Sequence, residues 1–355
     1  MNDIIRPCAE LLCMLVFSAT SSFAWAQAAF DRALRNGAEA RVVVSVVDDD
    51  GRPVSNATIK AFFEMGLSDG SKSYEKETDV KGIAVLEGNV SRSIHFRVEK
   101  AGYYKSHDKV CLIEMGHEYE VRDGKWQPWG MKRKILLRPI HNPCAVEVQT
   151  CAWRRTKALN EWIGFDFEKY DFVKPFGRGE TCDMKVKFEW DEKFGTQHNG
   201  MTLGIRFCDD FSGAYYDDKR PNSDFVSAYA ANPQKAYEQD FRYYWHPVRD
   251  SKGRKIGGEG KRFEKSKILV GRSRCKVDET GNLLSARYFQ LSDLKFSCSF
   301  DGKAALYFSV IYNPTPNDTN LEGCNEIFMQ SQRGLAAENA KDARLMPRSR
   351  PASGL

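Results

Sequence analysis

The chain has 355 residues, of which 42% are hydrophobic and 28% are charged, a composition that excludes both an intrinsically disordered protein and a membrane-embedded one. Its length accommodates two ordinary domains. Because the formal net charge is only +5 and no known nucleic-acid-binding module is present, we expect no nucleic-acid partner.

Residues 1–26 have the features of a cleaved secretory signal peptide. Arg6 precedes an apolar run from Leu11 to Phe23, and Ala24-Trp25-Ala26 provides the small residues of a cleavage site. A membrane anchor is the alternative, but the run is shorter than the ~20 residues that a membrane-spanning helix needs, and no later segment is apolar enough. We therefore expect a secreted, periplasmic or cell-envelope protein with no membrane span after cleavage of the signal.

Residues 40–140 carry the pattern of a first β-sandwich. The stretches 41–47, 57–63 and 93–99 are rich in β-branched residues or alternate apolar and polar side chains, and turn residues recur every ~8 to 12 positions. Between the first two stretches, Asp48-Asp49-Asp50-Gly51-Arg52-Pro53 allows two interpretations, a cation site and a turn. Aspartate, glycine and proline are common in turns, so the sequence favours a structural turn.

Glycines, a proline and core positions recur at fixed spacing in Asp48–Ile59, Thr78–Leu86 and Phe96–Tyr103. These stretches, with KILLRP at 134–139 as a closing strand, resemble the carboxypeptidase regulatory-like domain, a transthyretin-like β-sandwich. The resemblance implies a non-catalytic structural or interaction module that is joined to another exported domain. Residues 106–131 depart from the family pattern, and we expect them to form a lengthened loop with a surface of its own.

Residues 161–328 are predicted to form a second, larger β-sandwich, which follows a connector at 141–160. Residues 182–190 and 201–207 alternate apolar and polar side chains as half-buried strands do. No long segment of this domain has the helical period, so we predict an all-β chain that ends in a disordered basic tail at 329–355.

Two stretches of the second domain, at 162–180 and 312–322, resemble segments of uncharacterised secreted bacterial proteins in which a regulatory-like domain precedes a second β-rich domain. The resemblance implies this architecture and export from the cytoplasm. It implies neither an activity nor a substrate.

Catalytic and cofactor motifs are missing from the sequence. It contains no G-x-S-x-G nucleophile elbow, no H-E-x-x-H zinc motif and no glycine-rich phosphate-binding pattern, and its six histidines lack metal-ligand spacing. We therefore expect no catalytic residue, no metal and no cofactor, and a binding or structural protein rather than an enzyme. The alternative is a hydrolase or hydrolase accessory with a site in the second domain, built from Asp209, Asp210, Asp217, Asp218 and His246.

Aromatic residues supply the candidate binding surfaces. In FRYYWHP at 241–247, alternate rings point to opposite faces of one strand, and a single core cannot bury both sets. We therefore predict that one set forms an exposed platform for a glycan or an extracellular protein, with core packing as the alternative. The polar GKWQPWG loop is a second candidate because it gives its tryptophans little to pack against. The predicted binding residues are Trp126, Trp129, Tyr243, Tyr244 and Trp245.

Eight cysteines follow the predicted signal peptide, and an even number in an exported chain favours disulfides. None lies in a C-x-x-C pattern, which argues against a structural zinc site. Cys111 is the only cysteine of the first domain, so if all eight pair, one bridge must leave that domain. We predict this bridge, with unpaired thiols as the alternative. The candidate disulfide cysteines are Cys111, Cys144, Cys151, Cys182, Cys208, Cys275, Cys298 and Cys324.

Overall fold

The computed structural model describes residues 27–66, 70–113, 119–144, 146–149, 153–190, 200–218, 222–225, 228–298 and 303–323. The chain divides into two compact units. The first unit comprises Met1–Ile140 and Asn222–Asp224, and the second unit comprises His141–Pro221 and Phe225–Leu355. The predicted signal peptide at 1–26 and the predicted tail at 329–355 lie outside the described residues.

Two β-sheets form the described part of the first unit. Their strands are β1 (Ala38–Val47), β2 (Thr58–Glu64), β3 (Ser71–Glu77), β4 (Ile83–Val90), β5 (Ser93–Glu99), β6 (Ser106–Cys111), β7 (Glu120–Arg122), β8 (Lys125–Gln127) and β9 (Met131–Leu136). One sheet has the order β4-β1-β8-β7, with β9 parallel to β1, and the other has the order β3-β2-β5-β6. Alternate side chains, such as Val42, Val44 and Val46 of β1, are buried in a core shared by both sheets. This arrangement confirms the predicted β-sandwich.

Residues 27–36 are helical, which the sequence patterns did not predict. Ala33 is buried in the core of the first unit. Phe30 packs edge-on against Trp126, with the ring centroids 5.6 Å apart. The helical stretch therefore contributes apolar side chains to a core that is otherwise built from strands.

The stretch 106–131 is not the lengthened loop that we expected. It contains β6, β7 and β8, and the tight turn between the last two uses Asp123 and Gly124 at φ angles of 50° and 73°. Lys125 of β8 pairs with Glu39 of β1, so the stretch extends the sheet. Residues 114–118, with the Met115-Gly116-His117 sequence, lie outside the described part of the chain.

Two further sheets form the described part of the second unit. Their strands are β10 (Glu147–Gln149), β11 (Arg154–Thr156), β12 (Trp162–Asp166), β13 (Asp171–Phe172), β14 (Met184–Trp190), β15 (Met201–Phe207), β16 (Gly213–Asp218), β17 (Asp240–Arg249), β18 (Lys255–Glu259), β19 (Lys267–Val277), β20 (Leu283–Cys298) and β21 (Ala304–Tyr312). The β20 sheet has the order β10-β21-β20-β19-β16, with β11 also paired to β21, and the β15 sheet has the order β13-β12-β14-β15-β17-β18. Phe165 and Phe207 of the β15 sheet share one core with Phe289 and Phe308 of the β20 sheet. The second unit is therefore also a β-sandwich.

Two details of the second unit differ from the sequence-based expectation. β10 and β11 lie within residues 141–160, which we expected to be a connector, and both pair with β21. The alternation in residues 286–291 and 294–298 predicts two separate strands, but both stretches belong to the single strand β20. A bulge between Ser292 and Lys295 interrupts its pairing, and Asp293 there has a φ of 55°.

A disulfide joins Cys182 and Cys208, whose Cα atoms are 6.1 Å apart. These residues flank the paired ends of β14 and β15, where Met184 lies opposite Phe207. The bridge therefore links the ends of neighbouring strands of one sheet.

The predicted bridge from Cys111 is absent. Cys111 is a free thiol at the end of β6, where it lies opposite Ser93 of β5, so no cysteine faces it across the sheet. Cys144 and Cys275 are also free thiols. The structure leaves three candidates undescribed: Cys151, Cys324 and the side chain of Cys298.

Four turns share one construction, which explains the aspartate triplet. In each, an aspartate Oδ1 accepts hydrogen bonds from the backbone N–H groups two and four residues later. The aspartate C=O accepts a third bond from a glycine three residues later, and these glycines have φ angles between 70° and 85°. The predicted turn at the triplet is therefore confirmed. The four aspartates are Asp48, Asp79, Asp250 and Asp278.

Candidate functional site

Trp126 is a core residue, so its predicted place on an exposed surface was wrong. Its side chain is fully buried, and its Nε1–H donates a hydrogen bond of 2.8 Å to the C=O of Val90. The reason is the pairing of β8 with β1, which turns the middle residue of the three-residue strand β8 into the sandwich core. The glycines and proline around Trp126 gave the misleading pattern of a polar loop.

Tyr243 is also buried, which corrects its prediction as a surface residue. Its hydroxyl lies 2.7 Å from the Tyr216 hydroxyl, and its ring packs edge-on against Phe263 at 5.9 Å between centroids. Burial raises the pKa of Tyr243 far above its usual range, so the phenol stays neutral. Trp245 on the same side of β17 is half-buried, with its indole against Gly258. Of the two sets of rings on β17, this one faces the core.

Two predicted binding residues are exposed. Trp129 lies beyond β8, and Lys125 Nζ sits 4.8 Å from the centroid of its ring. Tyr244 projects from the solvent-facing side of β17, with 37% of its surface exposed. Each is available for contact with a ligand, and they belong to different units.

The two aspartate pairs of the alternative hydrolase site do not converge. Asp209 precedes β16, where its carboxylate accepts hydrogen bonds from Ser212 Oγ and the Cys275 N–H. Asp218 ends β16 and forms a 2.7 Å ion pair with Lys267. A six-residue strand is about 20 Å long at 3.3 Å per residue, so the two aspartate pairs lie at opposite ends of β16. Within the described residues, no group of three or more His, Cys, Asp or Glu side chains is arranged to hold a metal ion.

A buried ionic cluster lies in the described part of the second unit. Arg274 Nε and Nη2 donate to the two oxygens of Asp183 at 2.8 and 2.9 Å, and Nη2 also reaches Asp166 at 3.1 Å. Glu168 accepts from Arg274 Nη1 at 2.8 Å and from Arg287. Asp183 is fully buried, so the cluster places several charges in a region of low dielectric.

A β-bulge in β19 directs the Arg274 side chain toward Asp183. Arg274 has a φ of 52°, and the pairing of β19 with β20 shifts between Ser273 and Lys276. As a result, two consecutive residues reach the same carboxylate, because Ser273 Oγ also donates to Asp183 Oδ1 at 2.8 Å.

Backbone groups complete the hydrogen bonding of the cluster. Phe167 N–H donates to Asp183, and the N–H groups of Glu180 and Thr181 donate to Asp166. Burial opposes the ionisation of Asp166, but these backbone donors and the charge of Arg274 lower its pKa. Because donors already occupy the oxygens of both carboxylates, we interpret the cluster as a structural element.

The solvent-facing side of the β15 sheet carries an aromatic strip formed by Trp162, Tyr244 and His246. In β12, Ile163 and Phe165 point to the core, so the preceding Trp162 points outward with 39% of its surface exposed. Tyr244 and His246 occupy alternate outward positions of β17, and their ring centroids are 5.3 Å apart. β12 and β17 lie on either side of the β14–β15 pair. Strand alternation alone thus brings rings from both strands to one face of the sheet.

Two of these rings contact glycine positions of the sheet. A Cβ atom at Gly204 would lie 3.0 Å from Cη2 of Trp162, so the indole of β12 extends across the sheet to β15. A Cβ at Gly200 would likewise collide with His246 Nδ1. Arg206 stacks on the indole, with its Cζ 5.1 Å from the ring centroid. Two residues of the strip therefore already contact the protein before any ligand arrives: the ring edge of Trp162 at Gly204 and the imidazole of His246 at Gly200.

Charged groups accompany the strip. Glu189 of β14 pairs with Lys187 at 3.1 Å and with Arg242 of β17 at 3.0 Å. Arg206 pairs with Asp240 at 2.6 Å. These side chains place hydrogen-bond donors and acceptors next to the rings, which is the composition of a surface that orients a polar ligand.

Sequence reasoning identified Tyr244 and missed Trp162. The alternation of WIGFD contained the signal, because Ile163 and Phe165 are apolar at alternate positions and Trp162 therefore has to face outward. The role of Gly204 depends on the register of β12, β14 and β15, which no local pattern reveals.

Comparisons with known proteins give no functional assignment. No family model matches the chain, and no curated protein matches its sequence. Similar solved structures include a 3-chlorocatechol 1,2-dioxygenase from Rhodococcus opacus 1CP, with a TM-score of 0.24 and 12% identity over 30% of this chain and 61% of that one. The chain thus spans about three fifths of that dioxygenase.

A second similar structure is a DUF3823 family protein from Parabacteroides merdae ATCC 43184. It has a TM-score of 0.20 and 5% identity over 79% of this chain and 98% of that one. Scores and identities this low carry no argument about activity. Separately, the described residues include no helix that is long and apolar enough to cross a membrane.

Proposed function

We propose that this protein is an exported, non-catalytic binding protein that recognises a neutral glycan through the aromatic strip of its second unit. The observation that carries the proposal is the exposed Trp162 indole, which has 39% of its surface accessible and reaches across the sheet to Gly204. Sugar rings have apolar C–H faces, and covering them with an aromatic ring removes apolar surface of both partners from water.

The charges beside the strip favour a neutral ligand. Lys187 and Arg242 share Glu189, and Arg206 is paired with Asp240, so these cations already have counter-charges. Sugar hydroxyls can donate to the carboxylate of Glu189 and accept from Arg242, which would orient a ring that lies on Trp162. An anionic ligand would have to displace one of these pairs.

The first unit and the location of the protein are part of the same proposal. We infer that the first unit is a carboxypeptidase regulatory-like module, which is supported by the matching sequence stretches and the two-sheet sandwich. Export is supported by the signal-like residues 1–26 and by the Cys182–Cys208 disulfide, since disulfides persist mainly in oxidising compartments. A hydrolase remains the competing hypothesis, but Asp209 and Asp218 lie at opposite ends of β16.

Affinity electrophoresis of the purified protein through gels containing xyloglucan, mixed-linkage glucan or mannan tests this function. We expect retardation by at least one of these polysaccharides, and at least tenfold weaker binding for Trp162→Ala and Tyr244→Ala, because hot-spot aromatic residues contribute most of the binding energy of an interface. Trp153→Ala is the matched control, since Trp153 is a comparably exposed tryptophan of the same unit next to β11 in the β20 sheet.

Three outcomes would contradict the proposal. Binding that survives Trp162→Ala but is lost in Trp129→Ala would move the site to the first unit. Retardation by none of the polysaccharides, together with a protein ligand that requires Trp162, would replace the glycan by a protein partner. Shortened polysaccharide after incubation would establish the hydrolase.

A further inference from the structure

The first unit has a groove on the outer face of its β3-β2-β5-β6 sheet, and this groove is separate from the aromatic strip. Residues of β5 alternate so that Ile94, Phe96 and Val98 are buried and His95 and Arg97 are exposed. The groove has a volume of about 630 Å³, within the range of sites that hold small ligands. Its lining residues are Phe62, His95, Phe96, Arg97, His107, Asp108, Lys109 and Asn222.

Strand register brings the basic residues of the groove together. His95 lies opposite Phe62 of β2 on one side and opposite Lys109 of β6 on the other. Arg97 lies opposite His107 in the next outward row. Because paired residues on one face of an antiparallel sheet have Cβ atoms about 5 Å apart, these groups surround a single space.

Within the described residues, no acidic side chain pairs with the two cations Arg97 and Lys109 of the groove. Lys60 and Arg133 nearby, in contrast, do form ion pairs. Among the described residues that line the groove, Asp108 is the single acidic one. Its two oxygens accept hydrogen bonds from Arg133 Nε and Nη2, each at 2.9 Å, so its charge is already balanced.

His95 is held in place by a relay of hydrogen bonds. Its Nε2 lies 3.0 Å from Ser93 Oγ, and the same hydroxyl contacts the Glu64 carboxylate. Ser93 is buried and lies two residues from His95 on the same face of β5, so the relay restrains the imidazole from within the protein. A fixed ring loses little conformational entropy when a ligand binds, which makes His95 a positioned contact rather than a mobile surface residue.

Phe62 gives the groove a stacking surface. It is an exposed aromatic residue at an outward position of β2, beside His95. A ligand that matches the groove therefore has a ring with an apolar face and negatively charged substituents that reach Arg97 and Lys109 on the neighbouring strands.

We propose that this groove binds a short anionic saccharide, with carboxylate or sulfate groups at Arg97 and Lys109 and a sugar ring against Phe62. The site lies in the first unit and does not depend on the aromatic strip of the second. Charge-assisted hydrogen bonds from guanidinium and ammonium groups are the strongest polar contacts that the groove offers.

Isothermal titration calorimetry with three tetrasaccharides tests the site. Tetragalacturonate carries carboxylates, a heparin-derived tetrasaccharide carries sulfates, and cellotetraose is neutral. We expect one or both anionic probes to bind and Arg97→Gln and Lys109→Gln each to weaken that binding about tenfold or more, the scale of one charged hydrogen bond. Phe62→Ala should also weaken it, and affinity should fall as salt is added.

Lys132→Gln is the charge-matched control, since Lys132 is an exposed residue of β9 in the other sheet. Equal loss of binding in this variant would show that net charge, and not the groove, attracts the probe. Wild-type affinity in Arg97→Gln and Lys109→Gln, or no binding of either anionic probe, would also overturn the proposal. Trp162→Ala should bind the anionic probe with wild-type affinity. The groove can therefore be confirmed or refuted whether or not the aromatic strip binds a neutral glycan.

Discussion

Replacing Arg274 by methionine should destabilise the second unit strongly. The change preserves much of the side-chain volume but leaves Asp183 and Asp166 buried without their cation. Removal of one partner of a buried ion pair costs about 3–5 kcal/mol, because the remaining charge stays buried without its hydration and without its counter-charge. For a unit of this size, that loss lowers the unfolding midpoint by roughly 6–20 °C.

Differential scanning calorimetry at pH 7 measures this shift, and Arg254→Met is the control. Both arginines place Nε 2.8 Å from an aspartate oxygen, but the Arg274 side chain is 15% exposed and the Arg254 side chain is 73% exposed. We expect no measurable shift for Arg254→Met, because solvent screens exposed pairs.

The effect of Arg274→Met should also depend on pH. The pKa of Asp166 is lowered in the folded protein, so its contribution to stability is present above the unfolded pKa of ~3.9 and is lost as pH falls through the folded value. The difference between wild type and variant should therefore shrink below about pH 4. Equal midpoints for wild type and Arg274→Met at pH 7 would refute the structural interpretation of the cluster.

Three further outcomes are expected. Hydrogen bonds from Thr280 and Asn282 lower the pKa of Asp278 to about 2, so its carboxyl carbon should titrate near that pH in NMR spectra, and an ordinary value would contradict the turn geometry. Trp126→Ala should cost about 3–5 kcal/mol in urea unfolding, as buried aromatic truncations do, whereas a variant as stable as wild type would mean that Trp126 is not in the core. Burial raises the pKa of the Cys275 thiol to about 11, so iodoacetamide at pH 8 should modify it about a hundredfold more slowly than in urea-unfolded protein, and equal rates would show an accessible thiolate.

Much of the fold follows from local patterns in the sequence. The alternation of MTLGIRF predicts a half-buried strand at residues 201–207, and β15 spans Met201–Phe207. The Asp48 turn is equally local, since the aspartate and glycine that form it lie within four residues. The two-sheet architecture of each unit follows from many short strands of this kind.

The failures have non-local causes. Trp126 lies in a segment of turn residues, and only the pairing of Lys125 with the distant Glu39 places it in the core. β10 is three residues long, too short for a periodic pattern, and depends on β21 for its hydrogen bonds. The helical residues 27–36 carry little strand pattern and adjoin the predicted signal, where we assigned no element.

The candidate site also has one part that the sequence predicts and one part that depends on distant contacts. The outward direction of Trp162 and Tyr244 is a consequence of strand alternation and is visible in the sequence. The meeting of Trp162 with Gly204 requires the register across β14, and the joining of Arg274 to Asp183 requires a bulge and a contact 91 residues apart. Surfaces that depend on one strand are predictable, whereas clusters that depend on several are not.

Isothermal titration of Gly204→Val with the polysaccharide that retards the wild-type protein tests the aromatic strip most directly. Valine would occupy the space of the Trp162 indole while the tryptophan itself is kept, since even a Cβ at position 204 would lie 3.0 Å from the ring. We predict at least tenfold weaker binding for Gly204→Val and for Trp162→Ala, with Trp153→Ala unchanged, on the scale of a lost hot-spot residue. Wild-type affinity in both Gly204→Val and Trp162→Ala would contradict glycan recognition by this face.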